Sequence, residues 1–278
     1  LVARHTSISS IAGLKALCGS KYVQSDVGLS YRQVKALLNR NIEVLFSGTP
    51  CQIDGLQKYL GKDISNLLLI DLVCHGVSSP LLLSYHKEWL EKRKHSKLKS
   101  ISFRSKERCW GLYYYYYYAN GRFDFGEAIQ DAYFTDFLKG KNYRQSCYTC
   151  KYSNINRLGD ITLGDFWGAE NYFRDIDLSK GASLVLINSD KGAKAIQKIS
   201  KDISLYSAEI EWAIEGNNNL KKPTEMCFER YDYYNRIFKH INNWEIKQRY
   251  SVQSMRIKIY GILPNFIKKK WKGMKNGN

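Results

Sequence analysis

No run in this chain approaches the roughly 20 consecutive apolar residues that a membrane-spanning helix needs, and nothing after Leu1 has the layout of a secretory signal. Both absences point to a cytoplasmic protein. Acidic residues are scarce, 26 against 43 Lys and Arg, which leaves a formal charge of +17. That excess implies anionic partners, but bound anionic cofactors would offset part of it, so it does not identify nucleic acid, and none is expected. The opening, LVARHTSISSIAGLKAL, lacks an initiating Met and any glycine-rich or strand-like start of a sheet, and reads as a fragment or a shortened gene product. What is present suffices for a folded body: 278 residues, 44% of them apolar, can build one large domain or two small ones.

Seven cysteines is an odd number, and in a cytoplasmic chain of this size they argue for metal or redox chemistry before disulfides. Cys18, Cys109 and Cys227 stand alone in apolar or aromatic surroundings and read as packing residues. The other four are arranged differently. Residues 43–80 read as strand, Gly-Thr-Pro-Cys turn, helix, buried strand and a second turn carrying Cys74-His75-Gly76. Cys51 and Cys74 each follow an apolar run, so both are expected at the carboxyl ends of neighbouring strands, where open α/β sheets place their ligands. Pro50 suits the first position of a helix, which leaves Cys51 among the unpaired amides of its N-terminus, where a thiolate is stabilised.

The remaining elements can be placed around that unit. Gly19-Ser20-Lys21, ahead of a strand-like YVQ, offers amides, a hydroxyl and an ammonium that could hold a phosphate, with a plain turn as the alternative. Residues 30–40 form an amphipathic helix capped by Ser30. Ser79-Pro80 starts another, on which His86, like His95 beyond it, reads as a surface residue. Residues 98–106 and 112–120 are strands, the second closing on an Asn120-Gly121 hairpin, with its six tyrosines shared between two faces in cross-strand packing. A helix at 127–140 stops at Gly140. Cys147-x-x-Cys150 follows in a loop, then a short strand from Asp160 ended by Gly164-Asp165-Phe166-Trp167-Gly168, another strand at 182–189 and a helix after it. From 208 the chain turns helical, Pro223 interrupts it, and it closes on a basic, aromatic segment. Such an end can lie on an anionic membrane at the inner face, or fray in solvent.

One CxxC serves zinc knuckles, redox dithiols and clusters alike. Adding Cys51 and Cys74 at strand ends narrows the choice to a 4Fe-4S cluster or tetrahedral zinc, and ligands arriving singly in mid-sheet favour the cluster. The blocks GSKYVQS (19–25), VLFSGTPCQIDGL (44–56), DLVCHGVSSP (71–80), ISFRSK (101–106), SCYTCKYSNINRLGDITLGDFWG (146–168) and KGASLVLINSDKG (180–192) also carry a resemblance. In order and spacing they resemble the coenzyme F420 hydrogenase/dehydrogenase beta-subunit family, over about residues 5–240. The resemblance implies a flavin-dependent iron–sulfur oxidoreductase with FAD, a 4Fe-4S cluster, and electron exchange with coenzyme F420 or another organic small-molecule substrate. It further implies Cys51, Cys74, Cys147 and Cys150 as cluster ligands, Ser20, Lys21, Gln24 and Ser25 as a flavin-contacting segment, and Thr49, His75 and Asp165 near the ring or the cluster. For His75 a role in fixing the turn stands beside one in proton delivery, and Asp165 is alternatively a helix cap.

Family proteins usually begin with a ferredoxin-like segment and a serine- and glycine-rich stretch, and this sequence shows neither. Electrons are therefore expected from a redox partner protein or such a segment supplied separately, and the chain on its own is expected to be of doubtful activity. The sequence reading is a mixed α/β fold with a central sheet and flanking helices. Residues 1–205 form the flavin and iron–sulfur domain, whose start is missing, and 206–278 a helical basic extension. A zinc-stabilised binding module and an inactive remnant, in a surface-polysaccharide pathway, are the rival readings.

Overall fold

The computed structural model describes residues 2–106 and 111–250. Cys109 and the basic end segment beyond Tyr250 lie outside these residues. A short helix α1 (Leu14–Leu17) precedes α2 (Ser30–Asn39), whose Val34 and Leu38 are buried. Ser30 is the first helical residue rather than its cap. Asp26 accepts the Gly28 N–H and the Ser30 N–H bonds Val27 O, so the chain has already turned before the serine is reached. Residues 22–24 form no strand; Tyr22 sits at φ 48°, the chain bends at Val23, and Gln24 N donates to Ser78 O at 3.1 Å.

The strand–helix–strand unit forms as its sequence requires. Strand β1 (Val44–Gly48) leads through α3 (Pro50–Leu60) into β2 (Leu67–Leu72), and the two strands pair in parallel. Pro50 opens α3, Thr49 and Gln52 close a capping box around its first turn, and Gly61 at φ 74° ends it. Ile53 and Leu56 are wholly buried against Phe46, Leu67 and Leu69. Each such side chain contributes about 1.5–3 kcal/mol.

From β2 the chain passes into α4 (Pro80–Lys94), with Ser79 capping it through the Leu81 N–H. A three-stranded antiparallel sheet follows: β3 (Leu98–Phe103), β4 (Tyr113–Tyr118) and β5 (Phe123–Glu127), with Gly121 at φ 78° in the hairpin. The tyrosines alternate as the period of a strand demands. Tyr116 and Tyr118 enter the core, while on the other face Tyr113 stacks on Phe125 and Tyr115 on Phe123. The next helix, α5 (Ala132–Leu138), starts later than the apolar pattern implied. Glu127 still pairs in β5, and Asp131 is the true cap, accepting the Phe134 N–H at 2.8 Å.

His86 corrects the sequence reading. It is fully buried, 3.1 Å from Asp131 Oδ2 and stacked between Trp89 and Tyr133. Its neighbours on α4 are mixed in polarity, so nothing local signalled a position facing a second core. Cys18 is likewise exposed rather than packed.

Strand β6 (Ile161–Asp165) joins β2 in parallel, and β7 (Ser183–Ile187) adds to β6 in antiparallel fashion, giving the order β1-β2-β6-β7. Helix α6 (Asp190–Lys198) follows β7, and α7 (Ile210–Gly216) packs Ala213 into a cluster with Phe166 and Leu184. Two further helices, α8 (Glu229–Asn235) and α9 (Ile241–Tyr250), bring Tyr233 and Trp244 into the core beneath the tyrosine sheet. The architecture is thus mixed α/β, with helices flanking the sheets. Among the described residues no helix is long and apolar enough to cross a membrane.

Candidate functional site

Strands β1 and β2 end side by side, so the turns that leave them carry Cys51 and Cys74 to one edge of the sheet. The CxxC loop reaches the same edge by three attachments. Ser78 bridges Tyr143, Arg144 N donates to Val77 O at 2.9 Å, and Cys147 N closes a turn on Arg144 O. The result is electrostatic contact among the four thiols. Burial pushes the Cys74 thiol up to about 12, the amide of Gly76 works against this, and Cys147, Cys51 and Cys150 raise it further. Cys147 is raised by burial and again by Cys150 and Cys51. Among the described residues no three His, Cys, Asp or Glu side chains gather closely enough to hold a metal ion. The thiols share an edge without forming a single-ion cage.

Two polar contacts, the first buried and the second half-buried, fix the loop that carries Cys150. Arg157 donates to Tyr152 O, Asn154 O, Leu72 O and Asp71 Oδ1 at 2.9–3.1 Å, tying the loop to the end of β2, two residues before Cys74. Tyr152 donates its hydroxyl to Asp54 of α3, the helix that begins beside Cys51. Neither residue type in sequence advertised these roles.

A second group lies across the edge. His75 senses Asp165 and Arg104 electrostatically: burial lowers the His75 pKa, Asp165 raises it and Arg104 lowers it. Asp165 is not a helix cap, since it ends β6 and accepts from Arg104 Nη1 at 2.8 Å. Arg104 also lies 5.0 Å over the Trp167 ring and bonds the Tyr22 hydroxyl. The sequence reading missed Arg104 and Tyr22, although ISFRSK contains the first and GSKYVQS the second; both have positive φ, 61° and 48°. Thr224 Oγ1 donates to His75 O at 2.8 Å, which fixes the Cys-His-Gly turn from the far end of the chain. Beyond Trp167 lies a pocket of about 180 Å³ lined by Tyr172, Trp212 and Glu215.

The segment expected to touch a flavin runs along this edge with its side chains engaged by protein. Lys21 Nζ donates to the carbonyls of Leu17, Cys18 and Gly19, closing the end of α1. Gln24 accepts from Arg144, and Ser25 Oγ lies between His5 Nδ1 at 3.1 Å and Gln52 Nε2 at 3.0 Å. Ser20 bonds the Tyr22 hydroxyl, and Thr49 Oγ1 is 3.1 Å from Cys51 Sγ. The structure therefore brings Gln24, Ser25 and Thr49 beside the cysteines and turns Lys21 toward its own helix.

Residues 42–212 match the family model for the C terminus of the coenzyme F420 hydrogenase/dehydrogenase beta subunit. Among the curated proteins none matches the chain.

Proposed function

The chain belongs to the family defined by the C-terminal part of coenzyme F420 hydrogenase/dehydrogenase beta subunits, and from that premise we propose that it is an iron–sulfur oxidoreductase whose cluster is held by Cys51, Cys74, Cys147 and Cys150. The observation that carries this reading is that the parallel pairing of β1 and β2 and the attachment of the CxxC loop at Val77 and Ser78 bring these four cysteines to one edge of the sheet. The donor set fits the group in number and in kind, since four thiolates are the usual ligands of a 4Fe-4S cluster.

When bound, the cluster would supply one-electron storage and release. The chain's own residues do the positioning. Arg157 and Tyr152 hold the Cys150 loop against β2 and α3, and Gly76 lets the turn after Cys74 pass directly under the Tyr143 ring. By position, His75 and Asp165 are the candidate catalytic groups for proton handling, and Arg104 orients Asp165. FAD would add two-electron exchange. Ser20, Lys21, Gln24, Ser25 and Thr49 are its proposed contacts, but Lys21 and Gln24 are taken up by internal bonds and do not fit a flavin as placed. Coenzyme F420 or another small organic molecule is the proposed substrate, and a redox partner protein the proposed source of electrons.

Anaerobic purification tests the reading. A brown protein with broad visible absorbance bleached by dithionite, and about four irons per chain, is the expected result. A colourless protein holding one zinc overturns it.

A further inference from the structure

Parallel sheets normally have both faces covered, because their strands are apolar on both sides. Here one face is covered by α2, α3 and α7, and on the opposite face, among the described residues, Leu68, Ile70, Leu163 and Val185 are only half-buried and their neighbours are exposed. The strand registers put Leu45, Leu68, Ile70 and Leu72 in line with Leu163, Val185 and Ile187 on that face. None of these side chains belongs to a hydrophobic cluster among the described residues. Leu45, Ile187 and Leu72 are 59%, 50% and 41% exposed. Only Ile161, at one end of β6, is buried there, and Gly192 at the start of α6 is what approaches it. The same row of β6 ends in Asp165, so this face leads up to the candidate site.

We propose that this face is the docking surface for an acidic partner protein that presents an amphipathic helix. The surface is aliphatic over its centre, on β2, β6 and β7 with Leu45 of β1, and gives way to Ser47 and Ser183 at its margins, which suits the apolar stripe of a helix. Its rim is basic. Lys194 and Lys198 are exposed on α6, which begins on this side, and form no ion pair among the described residues. A second copy of the chain is disfavoured, because two bodies each carrying +17 repel. Resting on the oxidoreductase reading, the partner is the protein that exchanges electrons at the edge where this face meets Asp165 and the cysteines.

The test uses the full chain and two labelled helical peptides with the same leucine stripe, one with glutamate and one with lysine at the remaining positions. Fluorescence anisotropy at low salt is expected to show the acidic peptide binding roughly tenfold tighter than the basic one, with the difference shrinking as salt is raised. Leu45→Glu and Ile187→Glu, both at exposed positions, are expected to weaken acidic-peptide binding roughly tenfold with unchanged circular dichroism. Equal binding of the two peptides, no binding, or binding indifferent to both variants overturns the proposal. So does a sedimenting dimer that Leu45→Glu dissociates, which would make a second copy the occupant. Iron content of the same sample reports on the redox reading separately, since peptide binding needs no cluster.

Discussion

Arg157 donates from Nη2 to Asp71 Oδ1 at 3.1 Å, and both side chains are sealed from solvent. Asp71 also accepts from the amides of Leu158 and Gly159, so one carboxylate and one guanidinium join β2 to the whole loop before β6. Arg157→Met strands the Asp71 charge and should cost about 3–5 kcal/mol, read as a lower urea midpoint. Adding Asp71→Asn to Arg157→Met should recover part of that loss. An Arg157→Met protein as stable as the original would mean that the pair contributes nothing.

The turn after Cys74 is set by close approach. Gly76 has φ 138°, and a Cβ there would lie 2.4 Å from a ring carbon of Tyr143. Gly76→Ala is therefore expected to cost about 1–3 kcal/mol through overpacking, with backbone strain added, and to lower the melting temperature. Gly76→Ala combined with Tyr143→Leu should restore only the steric part.

The buried Asp131–His86 pair predicts an acid limb of stability. Burial by itself raises the Asp131 carboxyl, but the charge and hydrogen bond of His86, the Phe134 amide and the Tyr116 hydroxyl outweigh it and hold the pKa below its usual value. A carboxyl depressed in the folded state stabilises fully above the unfolded pKa of about 3.9. The contribution is then lost as pH falls through the lower folded value. Urea unfolding followed downward from pH 5 should show this slope, and Asp131→Asn should flatten it while lowering stability at neutral pH.

The cysteines divide into two classes that iron analysis can separate. Serine at Cys51, Cys74, Cys147 or Cys150 should lower bound iron and bleach the visible absorbance. Cys18→Ser and Cys227→Ser, outside the coupled group, should leave both unchanged. Tyr152→Phe is the intermediate case, removing the tie to Asp54 at a cost of about 1 kcal/mol and making the iron more readily lost to a chelator. Iron retained in all four ligand variants would refute the assignment.

Much of this arrangement was legible because it depends on local rules. Pro50 after a β run, Gly121 in the hairpin and the alternating tyrosines each specify their own geometry within a few residues. The convergence of Cys51 and Cys74 followed from strand–helix–strand connectivity alone. What escaped depends on contacts between distant residues. His86 is buried because α4 meets Tyr116, Tyr133 and Trp244, partners that lie 30 to 158 positions further along. Arg104 becomes part of the site through Asp165 and Trp167, and no periodicity around it reports on either. The capping serine at 30 failed because Asp26 and Val27 had already ended the preceding turn.

Thr224 reaches back to the carbonyl of His75, Asn217 to that of Asp165, and Arg230 to that of Tyr143. Three successive stations of the site are thus each gripped by a polar side chain that arrives after residue 212, where the family match stops. A gene trimmed to the matched portion would keep every cysteine of the proposed ligand set and lose the fingers that hold their turns in place. Expression work on such a minimal version should expect the ligands to survive and their alignment to slacken.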